Sequence, residues 1–144
     1  MTLYKGWYII RLSKRGCETI YIKKGGCGME GIRKNDVVKI DLSGAIGSEQ
    51  GKIRVAVVIQ NDMGNIHSKT TIIIPFTHIK KGLHIPTHAL IKKSKENGLV
   101  VDSVLLGEQM RVISEQRIIE KVGRITDEES LAEIKRVYNA NFGE

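Results

Sequence analysis

The chain has 144 residues, of which 41% are apolar and 27% charged, and a formal net charge of +7. That length supports one hydrophobic core. The composition is that of a soluble globular protein rather than a disordered one, and no window approaches the roughly 20 apolar residues of a membrane-spanning helix. The basic excess is uneven. Residues 1–32 hold six basic and two acidic groups, residues 33–113 twelve and seven, and residues 114–144 five and seven. A field of that sign attracts phosphate backbones and speeds encounter with them.

In chain order, Trp7–Leu12 and Thr19–Lys23 are β-prone runs separated by SKRGCE, and they predict a hairpin. Charge flanks the first run closely and no small-residue cleavage site follows, so an export signal is not expected and the chain is expected in the cytoplasm. Cys17 and Cys27 are then expected as reduced thiols; without a CxxC pair they do not suggest zinc. The stretch Gly25 to Gly31 (GGCGMEG) predicts a flexible joint. Val37–Leu42 alternates, with Val38, Ile40 and Leu42 on one face, as a half-buried strand does. After the glycine-rich loop Ser43–Lys52, the run Ile53–Gln60 is nearly all apolar and β-branched, which predicts a buried strand. NDMGNIHSK reads as a loop, and Thr70–Phe76 as a further strand with Pro75 near its end. Strands are also predicted over Ile85–Ile91, Leu99–Leu106 and Gln109–Ile113. A short helix is predicted over Ser114–Lys121. Thr126 to Glu129 (TDEE) has the spacing of a capping box, and Leu131, Ile134 and Tyr138 mark one face of a terminal helix. Short strands at close spacing followed by a helix indicate a mainly β chain closed into a compact barrel.

The candidate chemistry centres on Arg54. It opens an apolar run directly after a glycine-rich loop, and a guanidinium there needs a partner or a cleft to face. Its planar fork of donors suits phosphate oxygens; an ion pair with Glu49 or Asp62 is the structural alternative. Thr77 closes the strand TTIIIPFT, a position that fixes a side chain while exposing it. Ser103, Glu108 and Gln109 flank another apolar run. The four histidines, His67, His78, His84 and His88, show no metal spacing, because Pro86 interrupts the only i, i+4 pair. GxSxG, GxxxxGK[ST] and GxGxxG are all absent, which removes the best-marked hydrolase, nucleotide and dinucleotide readings.

These residues form an ordered pattern. KNDVVKIDLSGAIGSEQGKIRVAVVIQ from Lys34 to Gln60 continues as NDMGN; IIIPFT, HIPTH (His84–His88) and DSVLLGEQMRVI (Asp102–Ile113) follow in order. Together they resemble the MazF/PemK family of toxin endoribonucleases, over about residues 33–142. The resemblance implies an SH3-like barrel of the type shared with the gyrase poison CcdB, in a unit spanning residues 33–144. It also implies a homodimer, and cleavage of single-stranded RNA at a short sequence without metal or other cofactor. It places the catalytic arginine on Arg54 and the catalytic threonine on Thr77. RNA contacts would fall on Gly47, Ser48, Glu49 and Gln50 and on Ser103, Glu108 and Gln109. A small acidic antitoxin is implied as partner. The sequence departs from the pattern at Gly44 and Val55, where prolines are usual, and at Gly107, where a leucine is usual and the glycine is expected to soften or bulge the strand. Residues 1–32 have no counterpart in it. Two other readings stay open at this point: a barrel that binds nucleic acid or protein without chemistry, and a gyrase inhibitor by analogy of fold.

Overall fold

The computed structural model describes residues 31–143, together with the strand pairing of residues 7–14 and 17–24. Trp7–Lys14 (β1) and Cys17–Lys24 (β2) pair antiparallel as a two-stranded sheet. The joint expected at Gly25 to Gly31 falls, up to residue 30, outside the described residues. So do Cys27 and the side chain of Cys17, and with them the expected thiols.

From Asp36 onward seven strands form one antiparallel sheet. They are β3 (Asp36–Asp41), β4 (Ile53–Val58), β5 (Thr70–Thr77), β6 (His88–Ile91), β7 (Ser103–Leu106), β8 (Arg111–Ser114) and β9 (Ile118–Arg124). The order is β6-β7-β5-β4-β3-β9, with β8 also on β5. β5 serves two partners along its length. Thr70–Ile73 pair with Ser114–Arg111, whereas Phe76 and Thr77 pair with Leu105 and Val104. That change of neighbour, at Ile74 and Pro75, turns the sheet into a small barrel-like body.

Alternate residues feed two cores. Val38, Ile40, Ala56, Val58, Ile73 and Ile113 meet in one. In the other, Val37, Val57, Ile74 and Phe76 pack with Ile91 and Leu105, and with Ile134 and Val137 of the terminal helix α2 (Glu128–Ala140). Cover on both faces explains why β4 and β5 read as unbroken apolar runs. Asp36, fully buried, ties β9 to β3: its carboxylate accepts from Arg33 N at 2.8 Å and Arg124 Nη1 at 2.9 Å, and lies 3.1 Å from Lys121 Nζ. Loss of that carboxylate would leave Arg33 N–H and the Arg124 guanidinium without their shared acceptor, at a cost of about 1–3 kcal/mol.

The fold is mainly β with a C-terminal helix, as expected, but local assignments differ. The helix expected at Ser114–Lys121 is a single 3-10 turn, Glu115–Arg117, followed by β9. The outer side of β3 otherwise lacks a partner, and Ile118, Glu120 and Lys121 supply one. The loop expected at NDMGNIHSK contains helix α1 (Asp62–His67), capped by Asn61, whose Oδ1 accepts from Gly64 N at 2.8 Å. β6 and β7 occupy only the last residues of their predicted runs. The N-cap of α2 is Asp127, not Thr126, and its carboxylate accepts from Ser130 N at 2.9 Å. The buried face of α2 is Ser130, Ile134 and Val137, with Tyr138 exposed. Among the described residues no helix is long and apolar enough to cross a membrane.

Candidate active site

Arg54 is the second residue of β4 and pairs with Ile40 of β3. It is half-buried, and its Nε donates to the carbonyl of Gly51 at 3.1 Å. That bond folds the side chain over the base of the β3–β4 loop. Among the described residues its Nη groups make no hydrogen bond and it has no ion pair. The two carboxylates that could have paired with it are turned to backbone: Glu49 accepts from Ile46 N at 3.0 Å and Asp62 from Lys34 N at 2.7 Å. The guanidinium is thus braced at one nitrogen and open at two.

Thr77 is the last residue of β5 and only 8% exposed; its Oγ1 accepts from Ile79 N at 3.3 Å. The β4–β5 ladder runs from Val58↔Ile73 to Ala56↔Pro75. It stops there because Pro75 has no N–H and β5 passes on to β7. Counting on in the same register sets Arg54 across from Thr77. With the side-chain period of two, both project to the face that carries Ile40, Ala56 and Ile73. On that extrapolated register, a basic fork and a hydroxyl would share one face just past the end of the β4–β5 ladder.

The loop between β3 and β4 is pinned at both ends. Arg117 Nη1 donates to the carbonyls of Asp41 and Ser43, at 2.9 and 3.1 Å. At the other end Gln109 Nε2 donates to Ser48 O at 3.3 Å, and Gln109 Oε1 accepts from Gln50 N at 3.2 Å. Gly47 (φ 60°) and Lys52 (φ 63°) adopt left-handed backbone. Ser48 and Glu49 are exposed and Gln50 is half-buried, its Oε1 enclosed without a partner among the described residues. The structure thus brings Gly47–Gln50 against Gln109.

Ser103 and Glu108 fall elsewhere. Ser103, at the opposite end of β7 from Gln109, is buried and its Oγ donates to Val101 O at 2.9 Å. Glu108 Oε2 accepts from Thr87 Oγ1 at 3.0 Å, and its Oε1 lies 2.6 Å from His88 Nε2. Partial burial pushes the Glu108 carboxyl up, but hydrogen bonds from His88, its own backbone N–H and Thr87 outweigh that. They hold it below its ordinary value of 4.5. His88 was named from the sequence only as one of four histidines without metal spacing, and its contact with Glu108 was not foreseen; Arg117 and the Gly51 carbonyl were missed by sequence reasoning. Those two act through contacts that no local pattern encodes.

Residues 63–95 contain six lysines and all four histidines and no acidic group. This stretch includes the segment His78–Thr87 that leaves Thr77, in which Lys80 and Lys81 are exposed. Among the described residues no three His, Cys, Asp or Glu side chains gather as metal ligands.

Comparison with known proteins gives the family. The family described as PemK-like, MazF-like toxin of type II toxin–antitoxin systems matches residues 33–141. The endoribonuclease MazF of Staphylococcus saprophyticus is 44% identical over 109 residues, covering 76% of this chain and 87% of that protein. The endoribonuclease EndoA of Bacillus subtilis is 42% identical over 97 residues, covering 67% and 83%. Among solved structures, MazF from Deinococcus radiodurans is similar with a TM-score of 0.66 at 21% identity, over 78% of this chain and 96% of that one. A mycobacterial endoribonuclease solved with its cognate antitoxin gives 0.63 at 14% identity, over 77% and 94%. At those identities the structural likeness speaks to the fold, while the family match and the two sequence relatives speak to descent. The chain belongs to the PemK-like, MazF-like toxin family of type II toxin–antitoxin systems.

Proposed function

We propose that this chain is an endoribonuclease toxin that cuts unpaired RNA at a short sequence without a metal ion, with Arg54 and Thr77 at the scissile phosphate. The support beyond family membership is a guanidinium braced by Gly51 O on β4, two residues past the last β4–β5 pair, where the register continued from Ala56↔Pro75 leads to Thr77. The ribose 2′-oxygen forms a bond to phosphorus as the bond to the 5′-oxygen breaks. The 2′-hydroxyl proton passes to solvent and the departing 5′-oxygen takes one up, leaving a 2′,3′-cyclic phosphate and a 5′-hydroxyl. Charge builds on the equatorial oxygens, and the free Nη donors of Arg54 stabilise it more than the ground state. Thr77 donates its proton to a phosphate oxygen while still accepting from Ile79.

Residues 33–144 form the nuclease unit, and the β1–β2 pair lies in an N-terminal addition of residues 1–32. Gly47, Ser48, Glu49 and Gln50 would meet the RNA directly, on the loop that Gln109 holds; Ser103, buried at the far end of β7, and Glu108, held by Thr87 and His88, would lie outside that contact. Bases must be splayed out to be read there, which requires an unpaired strand. The active form is a homodimer. A small acidic antitoxin covers the basic surface, in keeping with the antitoxin complexes among the structural neighbours.

The test is cleavage of a mixed unpaired RNA pool in excess EDTA, with the new ends sequenced by selective capture of 5′-hydroxyls. Wild-type protein cuts at a defined short sequence, and folded Arg54→Ala does not, a loss of about 100-fold or more. Cutting that EDTA abolishes, or that survives in Arg54→Ala, overturns the reading.

A further inference from the structure

We propose that Gln109 is a positioning residue: through the β3–β4 loop it sets the orientation of the Arg54 guanidinium. The inference rests on the reading of Arg54 as the phosphate-stabilising group. The path is short and consists of hydrogen bonds and one peptide unit. Gln109 grips the loop at two points, Ser48 O at 3.3 Å and Gln50 N at 3.2 Å. The residue after Gln50 is Gly51, and its carbonyl holds Arg54 Nε at 3.1 Å.

A primary amide suits the task because it offers a donor and an acceptor in one plane, matching a backbone C=O and N–H as a neighbouring strand would. Glutamate could accept from Gln50 N but would face the Ser48 carbonyl with a second acceptor. Methionine, of similar length, could do neither.

The two sides of this contact differ in rigidity. Gln109 ends the turn Gly107–Gln109, where Gly107 N donates to Thr87 O at 2.8 Å and Gly107 O accepts from Asn141 Nδ2 at 2.7 Å. The loop has three glycines and exposes Ile46 at 79%. Lys52, left-handed and not glycine, is held there by Leu42 N on its carbonyl at 2.8 Å. Such a conformation persists only where its surroundings over-determine it. Without Gln109, residues 48–50 lose the two hydrogen bonds that join them to the turn after β7, and the carbonyl that aims Arg54 is anchored from the Lys52 side alone.

A direct contact between Gln109 and a base is the competing role, and the two separate in the unliganded protein. The experiment pairs nitrogen-15 NMR of the Arg54 Nε–H and hydrogen exchange at the Gln50 amide with cleavage kinetics on one unpaired RNA oligonucleotide. Wild type, Gln109→Met and Gln109→Glu are compared. In Gln109→Met the Arg54 Nε–H collapses towards the free-arginine position and Gln50 exchanges faster. Its kcat falls about 100-fold while KM stays within about threefold. Gln109→Glu keeps partial Gln50 protection and an intermediate kcat, and carries the test alone if the Met variant does not fold. An unchanged Arg54 signal with unchanged Gln50 protection, or a loss confined to KM, overturns the proposal. If wild type cuts no RNA, the functional reading fails separately, and the spectra of the unliganded variants still decide whether Gln109 orients Arg54.

Discussion

His88 and Glu108, twenty residues apart in the chain, are joined by a 2.6 Å contact between the imidazole Nε2 and a carboxylate oxygen. An ionised carboxylate only accepts, so Nε2 carries the proton. The partner Thr87 hydroxyl takes the other oxygen. The pair fastens the start of β6 to the turn after β7, the same turn that presents Gln109 to the loop.

The lowered Glu108 value makes this fastening pH-dependent. A carboxyl held below its ordinary 4.5 stabilises the fold fully above that value and loses the contribution as pH falls through the folded value. Wild type should therefore be more stable than Glu108→Gln at neutral pH, and the gap should close as pH falls below 4.5. Denaturant midpoints of the two proteins across that range check it. A gap that does not change with pH would mean that the carboxylate charge contributes nothing.

Gly107 should be intolerant of any side chain. A Cβ there would collide with Val137 of α2 and sit 2.6 Å from the Thr87 carbonyl oxygen. That oxygen cannot withdraw without giving up the Gly107 N–H it accepts. Gly107→Ala should cost about 1–3 kcal/mol by overpacking, and Gly107→Leu more. Val137→Ala in the Gly107→Ala background should recover part of the loss, measured as the coupling in a double-mutant cycle by urea denaturation.

Gly107 also shows where sequence reading stops. As a departure from the family pattern it suggested a softened or bulged strand. In fact β7 ends cleanly at Leu106 and the glycine admits the terminal helix, whose Val137, with Asn141 at its C-cap, closes against it. The long apolar runs of β4 and β5 were legible because burial on both faces leaves an unmistakable composition. β9 was not, because Ile118, Ile119 and Val122 fall at near-helical spacing and its strand state comes from pairing with β3. α1 was passed over because six residues with a central glycine carry little periodicity, although Asn61 supplied its cap in plain sight. At the site, Arg54 and Thr77 were nameable from position and resemblance. Their common register, the Gly51 brace and the Gln109 clamp are long-range consequences of strand order.

Thr77 offers a cleaner probe of the chemistry than Arg54, because valine preserves its β-branched shape at a nearly buried strand end. Thr77→Val removes an acceptor for Ile79 N, but residue 79 is exposed and water can replace it. The stability change should stay within about 1 kcal/mol. Cleavage should fall about 100-fold if the hydroxyl contacts the phosphate in the transition state. Thr77→Ser should retain most activity. Equal loss in Val and Ser variants would point to packing rather than the hydroxyl.

The acid-free stretch predicts the path of the RNA. Lys80 and Lys81 follow Thr77 by three and four residues, are exposed, and make no ion pair among the described residues. A strand lodged at Arg54 and Thr77 that continues along this segment would lay phosphates on both lysines. Each such contact adds roughly 0.7 to the slope of log affinity against log salt for single-stranded RNA. Anisotropy titrations on the Arg54→Ala background, which is expected to bind without cutting, can measure that slope. Lys80→Gln with Lys81→Gln should lower it by about 1.4, whereas Lys135→Gln on exposed α2 should leave it unchanged. The reverse pattern would put the RNA over the helix and overturn a path along His78–Thr87.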